Sequence, residues 1–217
     1  MCLVLMAAGD LGAAVVRGRV GFVTKRGQRP NPAETVVWLE PVTTASRAAR
    51  PPVPASFEMV TRSKMLLPHV LAVPAGSTIA FPNEDPISHN LFSLSPANTF
   101  DLGLYRKGAG KTQKFDTPGI VNVYCNVHPN MSAVIHVMPT PYYAFADVNG
   151  NYAIEAPEGK YRLVAWNEQG GMAESSVEIL GEARVTGTVA LVIDSRNHRL
   201  TQHTNKFGKT YQAPRDY

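Results

Sequence analysis

Six stretches of this chain alternate apolar and polar residues with a period of two or nearly so, and helical periodicity is almost absent. They are "STIAFPN" (77–83), "GIVNVYC" (119–125), "SAVIHVM" (132–138), "GNYAIEA" (150–156), "KYRLVAW" (160–166) and "GTVALVI" (187–193). Successive side chains of a strand point to opposite faces, so each run can turn one apolar face toward a core. Turn residues separate the runs: Pro74-Ala75-Gly76, Thr117-Pro118-Gly119, Asn149-Gly150 and Pro157-Glu158-Gly159. The Asn-Gly pair in "DVNGNY" (147–152) is the strongest short-range hairpin signal present. Short strands at this spacing predict an all-β protein built as a β-sandwich.

Composition fits that class. The 217 residues include 17 Gly and 17 Pro, and 44% are hydrophobic against 18% charged, which favours a packed core over disorder. The length suits one large β domain or two small ones. The formal charge is +4, yet no Lys/Arg cluster interleaves with aromatics, so no nucleic-acid surface is expected. No stretch reaches the roughly 18 apolar residues of a membrane span. Cys2 and Cys125 are too few for a disulfide framework, and Cys125 is treated as a single thiol. Residues 2–8 are apolar and "LGAA" follows, so residues 1–14 read as the remnant of a secretory signal or a frayed end. A periplasmic location is the expectation.

Chemistry concentrates in "YCNVHPNMSAVIHV" (124–137), where Cys125, His128 and Met131 fall within seven positions between two β runs. Thiolate, imidazole and thioether together suit copper: soft sulfur favours Cu(I), and imidazole binds both oxidation states. A trigonal His₂Cys plane with a weak axial Met needs one more histidine. "FPNEDPISHNLF" (81–92) offers His89, with Asn90 placed to tie its loop to that of Cys125 by side-chain hydrogen bonds. Glu84 and Asp85 read as groups that shape surface potential, without a ligand role. His69 and His136 read as structural, and His198 and His203 as solvated residues of the tail. No Ser-His-Asp set, phosphate loop or paired carboxylates stand in a supporting context, so an enzyme is not expected.

"LPHVLAVPAGSTIAFPNEDPISHN" followed by "GIVNVYCNVHPNM" resembles a cupredoxin, the blue copper fold, over about residues 65–138. Cys-x-x-His-x-x-Met with Pro after the His resembles the short loop of the amicyanins. The resemblance implies a Greek-key β-sandwich holding one copper ion, cycling between Cu(I) and Cu(II). It makes His89, Cys125 and His128 the equatorial ligands and Met131 the axial one. The flanks resemble a second small β-sandwich, of the transthyretin-like or carboxypeptidase-regulatory-like kind. Its pieces are Gly18 and Val20, Val37 and Leu39, Asp147 and Gly150, then Pro157, Gly159, Tyr161 and Leu163. The whole arrangement is similar to bacterial proteins called methylamine utilization proteins.

The expected organisation is a cupredoxin domain at 55–140 inserted in a split sandwich at 15–45 and 141–195. A Pro/Ala/Arg-rich linker covers 44–56, and an extended basic tail covers 196–217. The expected function is single-electron transfer between periplasmic partners, by a monomer docking transiently on a redox protein. Phe81, Phe92 and Val127 are expected to form the apolar shell. His128 is expected nearest the surface, ringed by Pro86, Ile87, Pro129 and Asn130. The rival readings are a copper carrier of the same fold and a structural or ligand-binding sandwich with no redox role.

Overall fold

The computed structural model describes residues 14–43, 51–180, 188–199 and 203–211. The expected signal remnant apart from Ala14, the linker at 44–50 and the last residues of the tail lie outside them. Two compact units are present. One is drawn from Met1–Ala49, Tyr142–Asn167 and Gly171–Asp194, the other from Arg50–Pro141, Glu168–Gly170 and Ser195–Tyr217.

The chain begins in the first unit with β1 (Ala14–Val23) and β2 (Val36–Pro41). The second unit follows with β3 (Ser56–Glu58), β4 (Val60–Arg62), β5 (Met65–Leu67), β6 (Val70–Pro74) and β7 (Ser77–Asn83). It continues with β8 (Leu91–Ser93), β9 (Phe100–Asp101), β10 (Gly108–Phe115), β11 (Gly119–Cys125) and β12 (Ser132–Met138). The first unit is completed by β13 (Tyr143–Phe145), β14 (Asn151–Ala156), β15 (Gly159–Asn167), β16 (Gly171–Ile179) and β17 (Thr188–Asp194). The all-β expectation holds.

In the first unit a sheet ordered β14-β1-β17 and a sheet ordered β13-β2-β15-β16 share one core. Val16, Val20, Leu39, Ile154, Leu163 and Ile193 are among its buried residues. Alternation explains who faces in: β14 reads exposed-buried throughout, with Tyr152, Ile154 and Ala156 inward. The Asn-Gly hairpin predicted at 147–152 does not form. β13 pairs with β2, and β14 pairs with β1. The turn is real but joins two sheets: Asp147 Oδ1 accepts the N–H groups of Asn149 and Asn151, both at 2.8 Å. The carbonyl of Gly150 then accepts from Val20 N at 2.8 Å, which draws β14 onto β1.

The second unit is built from a sheet ordered β10-β7-β4-β5, with β3 parallel to β7, and a sheet ordered β6-β12-β11-β8-β9. Strand β7 alternates strictly, with Ser77, Ile79, Phe81 and Asn83 buried. Strand β12 is buried along nearly its whole length because β11 and β6 flank it and both faces are covered. His136 on β12 is buried, as a structural reading requires. Phe81, Phe100 and Phe115 interlock in the core, with Phe115 edge-on to Phe100 at 5.8 Å.

Strand β10 reaches β7 through a register shift between Gly108 and Lys111. Gly110 sits there at φ 74°, and a Cβ on it would lie 1.8 Å from the Phe81 carbonyl oxygen. A side chain at this left-handed position costs roughly 1–2 kcal/mol before any clash. Gly110→Ala is therefore expected to destabilise this unit by more than that, read as a lower denaturation midpoint. An unchanged midpoint would refute the backbone argument.

Candidate metal centre

Cys125 closes β11 and Met131 immediately precedes β12, so the seven residues from Cys125 to Met131 make a tight connection that carries three sulfur and nitrogen donors. Backbone bonds knit it: Cys125 N donates to Met131 O at 3.0 Å, and Met131 N donates to His128 O at 3.2 Å. Met131 is buried within the same core as Cys125. His89 arrives from the loop between β7 and β8. An isolated antiparallel bridge to Tyr105 fixes its backbone, with N–H to O distances of 3.0 and 2.9 Å in the two directions. Upstream, Asn83 shapes the loop by donating to Ile87 O at 2.9 Å and accepting from Asp85 N at 3.0 Å.

These elements bring His89, Cys125 and His128 together. One donor atom from each lies within 4.8 Å of the others. Cys125 Sγ is 3.7 Å from His89 Nδ1 and 3.5 Å from His128 Nδ1. The two imidazole centroids are 4.8 Å apart. Metal–sulfur and metal–nitrogen bonds of roughly 2.3 and 2.0 Å, set between tetrahedral and trigonal angles, span just such separations. The donor set therefore fits one soft or borderline ion. His89 and Cys125 have no exposed surface, and His128 is the most exposed of the four candidate residues. Burial, then the nearby His89 and Lys64, lowers the pKa of His128, so its imidazole is kept neutral and available as a donor.

Asp85 was expected to be a surface group and is not. The residue is 7% exposed and its carboxylate lies 3.0 Å from His89 Nε2. Burial opposes its ionisation, but the N–H groups of Lys64 and Ser63 and the His89 ring outweigh burial and lower its pKa. Those N–H groups reach it at 2.9 and 2.6 Å because Ser63 and Lys64 hold left-handed turn conformations, φ 53° and 56°. A carboxylate can only accept, so Nε2 of His89 carries the hydrogen and Nδ1 keeps its lone pair toward Cys125. Glu84, by contrast, is a surface partner of Arg62.

Asn90 links the donor loops differently from the expectation. Its main-chain oxygen, not its side chain, accepts from Asn126 N at 2.8 Å, while its Nδ2 donates to Asp101 Oδ1 at 2.6 Å. Phe81 and Phe92 are buried, but Val127 is 45% exposed and belongs to the rim rather than the shell. It follows Asn126 into the turn, away from the core. Pro86, Ile87 and Asn130 are exposed and Pro129 half-buried. His69 has Nε2 at 2.5 Å from Glu168 Oε2, apart from the donor cluster. His198 is half-buried in a turn, and its N–H donates to Ser195 O at 3.1 Å. His203 is not solvated: its ring stacks on Tyr124 with centroids 4.3 Å apart. Sequence reasoning placed Asp85 at the surface and missed Tyr105 and Tyr211, whose hydroxyl donates to Cys125 O at 2.6 Å.

Comparison with solved structures finds a purple cupredoxin from Nitrosopumilus maritimus at 20% identity and TM-score 0.33, over 37% of this chain and 98% of that one. An amicyanin variant in its oxidized state matches at 16% identity and TM-score 0.36, over 38% of this chain and 81% of that one. A copper-containing nitrite reductase from Thermus scotoductus matches at 22% identity and TM-score 0.36, over 55% of this chain and 28% of that one. No protein-family model and no curated protein matches the chain. A functional reading therefore has to stand on the donors themselves.

Proposed function

We propose that the second unit binds one copper ion through His89 Nδ1, Cys125 Sγ, His128 Nδ1 and Met131, and carries single electrons between transient protein partners in the periplasm. The observation that supports this most is the convergence of one buried thiol and two imidazole Nδ1 atoms at 3.5 and 3.7 Å. Copper, once bound, supplies a one-electron couple that a thiolate, two imidazoles and a thioether accommodate in both oxidation states.

The chain does the rest. Backbone bonding to Tyr105 and the Asp85 contact hold His89 in place, so little rearrangement accompanies a change of charge. Burial of Cys125 and Met131 excludes water. His128 offers the imidazole edge nearest solvent; Val127, 45% exposed, precedes it in sequence, and Ile87, 37% exposed, lies in the loop that carries His89. A small apolar patch of this kind suits a weak, short-lived interface. Among the described residues no helix is long and apolar enough to cross a membrane.

The test is a visible and paramagnetic resonance spectrum of the copper-loaded protein with voltammetry of the same sample. An intense thiolate-to-copper band and a reversible one-electron wave are expected. Absence of the band overturns the ligand assignment. Tightly held Cu(I) with an irreversible wave overturns electron carriage and marks a copper carrier.

Asp85→Asn gives a further expected result. An amide can donate to Nε2, which would move the imidazole hydrogen onto the donor atom Nδ1. Copper affinity should fall by about 10–100-fold, the usual effect of losing such a supporting partner. The reduction potential should rise, because a buried negative charge favours the Cu(II) state. Competition titration and voltammetry measure both; unchanged values would remove Asp85 from the centre.

A further inference from the structure

The described part of the C-terminal segment, residues 203–211, grips both donor-bearing loops of its own unit. Tyr211 donates its hydroxyl hydrogen to the carbonyl of Cys125 at 2.6 Å. The ring of His203 lies flat on Tyr124, 4.3 Å between centroids with 16° between planes, and meets the Tyr211 ring edge-on at 5.2 Å. Lys206 N donates to Asn126 Oδ1 at 3.1 Å. The segment thus touches Cys125 and its neighbours on both sides. It also reaches the other loop: Lys206 Nζ is 2.7 Å from Asp101 Oδ2, and Asp101 Oδ1 holds the side chain of Asn90, next to His89.

Cys125 is the last residue of β11: it pairs with Leu91 of β8, but on its other side the β11–β12 ladder ends one residue earlier, at Tyr124 and Ser132. Its N–H is taken by Met131 O, and the Tyr211 hydroxyl supplies the donor for its carbonyl. A buried carbonyl deprived of its donor is unfavourable, so the loop would move to regain water.

We propose that residues 203–211 form a strap that positions the donor loops, with Tyr211 the positioning residue for Cys125. The strap's hold on Cys125 is independent of any ion; its effect on copper rests on the function proposed above.

The test uses the full chain in a Cys2→Ser background, so that Cys125 is the single thiol. In Tyr211→Phe the ring remains and only the hydroxyl is lost. With the metal-free protein, modification of Cys125 by an aromatic disulfide reagent should run about two- to tenfold faster, the weight of one hydrogen bond. In the double variant His203→Ala/Tyr211→Ala the increase should be larger. With copper bound, loss of the ion to a chelator should accelerate in the same order. The potential should move down in Tyr211→Phe, since the phenol dipole beside Cys125 favours the electron-rich reduced centre. Unchanged thiol and copper-release rates in both variants overturn the proposal. A parent protein that shows no thiolate-to-copper band, but whose thiol rate still rises in the variants, keeps the strap and removes the electron carrier.

Discussion

On the copper reading proposed above, Cys125→Ser is expected to abolish the visible thiolate-to-copper band and to lower copper affinity by more than the roughly 10–100-fold typical of changes outside the ligands. Serine nearly matches cysteine in shape, so the fully buried position is filled and the unit folds. Its hydroxyl is a hard, weakly acidic donor, unsuited to Cu(I) and to the strong covalency that gives the band. His89 and His128 remain in place at 4.8 Å between centroids and can still bind a hard-tolerant ion such as Zn(II) more weakly. Absorption and copper titration of the variant read the result. A band of parental strength in Cys125→Ser would show that the sulfur is not a ligand, and would end the reading of this site as a type 1 copper centre.

Phe81→Ala has the largest expected effect on stability. The ring has no exposed surface, lies 5.9 Å from that of Phe100, and through Phe100 supports Phe115. The site cannot collapse freely, because β10 is drawn close against β7 at Gly110, where even a Cβ would meet the Phe81 backbone. Removing an enclosed aromatic ring costs about 3–5 kcal/mol. Chemical denaturation followed through this unit should show that loss. A loss below about 1 kcal/mol would mean that the core closes over the cavity. Val127→Ala on the rim is the control, expected within about 0.5 kcal/mol of the parent.

The strands were legible where their signal is local. β7, β11 and β12 cover the same residues as the runs at 77–83, 119–125 and 132–138; in β7 and β11 period-two patterning and core-facing orientation are one property, while β12, buried on both faces, was legible from its apolar, β-branched run. The close spacing of Cys125, His128 and Met131 is equally local. Asp85 was not legible. Acidic residues are mostly exposed, and what buries this one is a turn at Ser63 and Lys64, residues that do not announce a left-handed backbone. The Asn-Gly turn misled for the complementary reason. Its own conformation is local, but the choice of partner for β14 belongs to β1, more than a hundred positions away. Tyr211 carries no signal at all, since nothing in "NKFGKTY" (205–211) says which carbonyl its hydroxyl meets.

Strand β1 has both edges filled by late-arriving neighbours: β14 pairs with it antiparallel and β17 parallel. As the polypeptide is extruded N-terminus first, this strand has no native mate until twelve intervening strands have followed it out. For that interval its unpaired amides and carbonyls can template a wrong partner, including the same ribbon of a second nascent molecule. Dilute refolding should therefore outperform concentrated refolding, by a margin that widens when the exposed charges of Arg17 and Arg19 are removed.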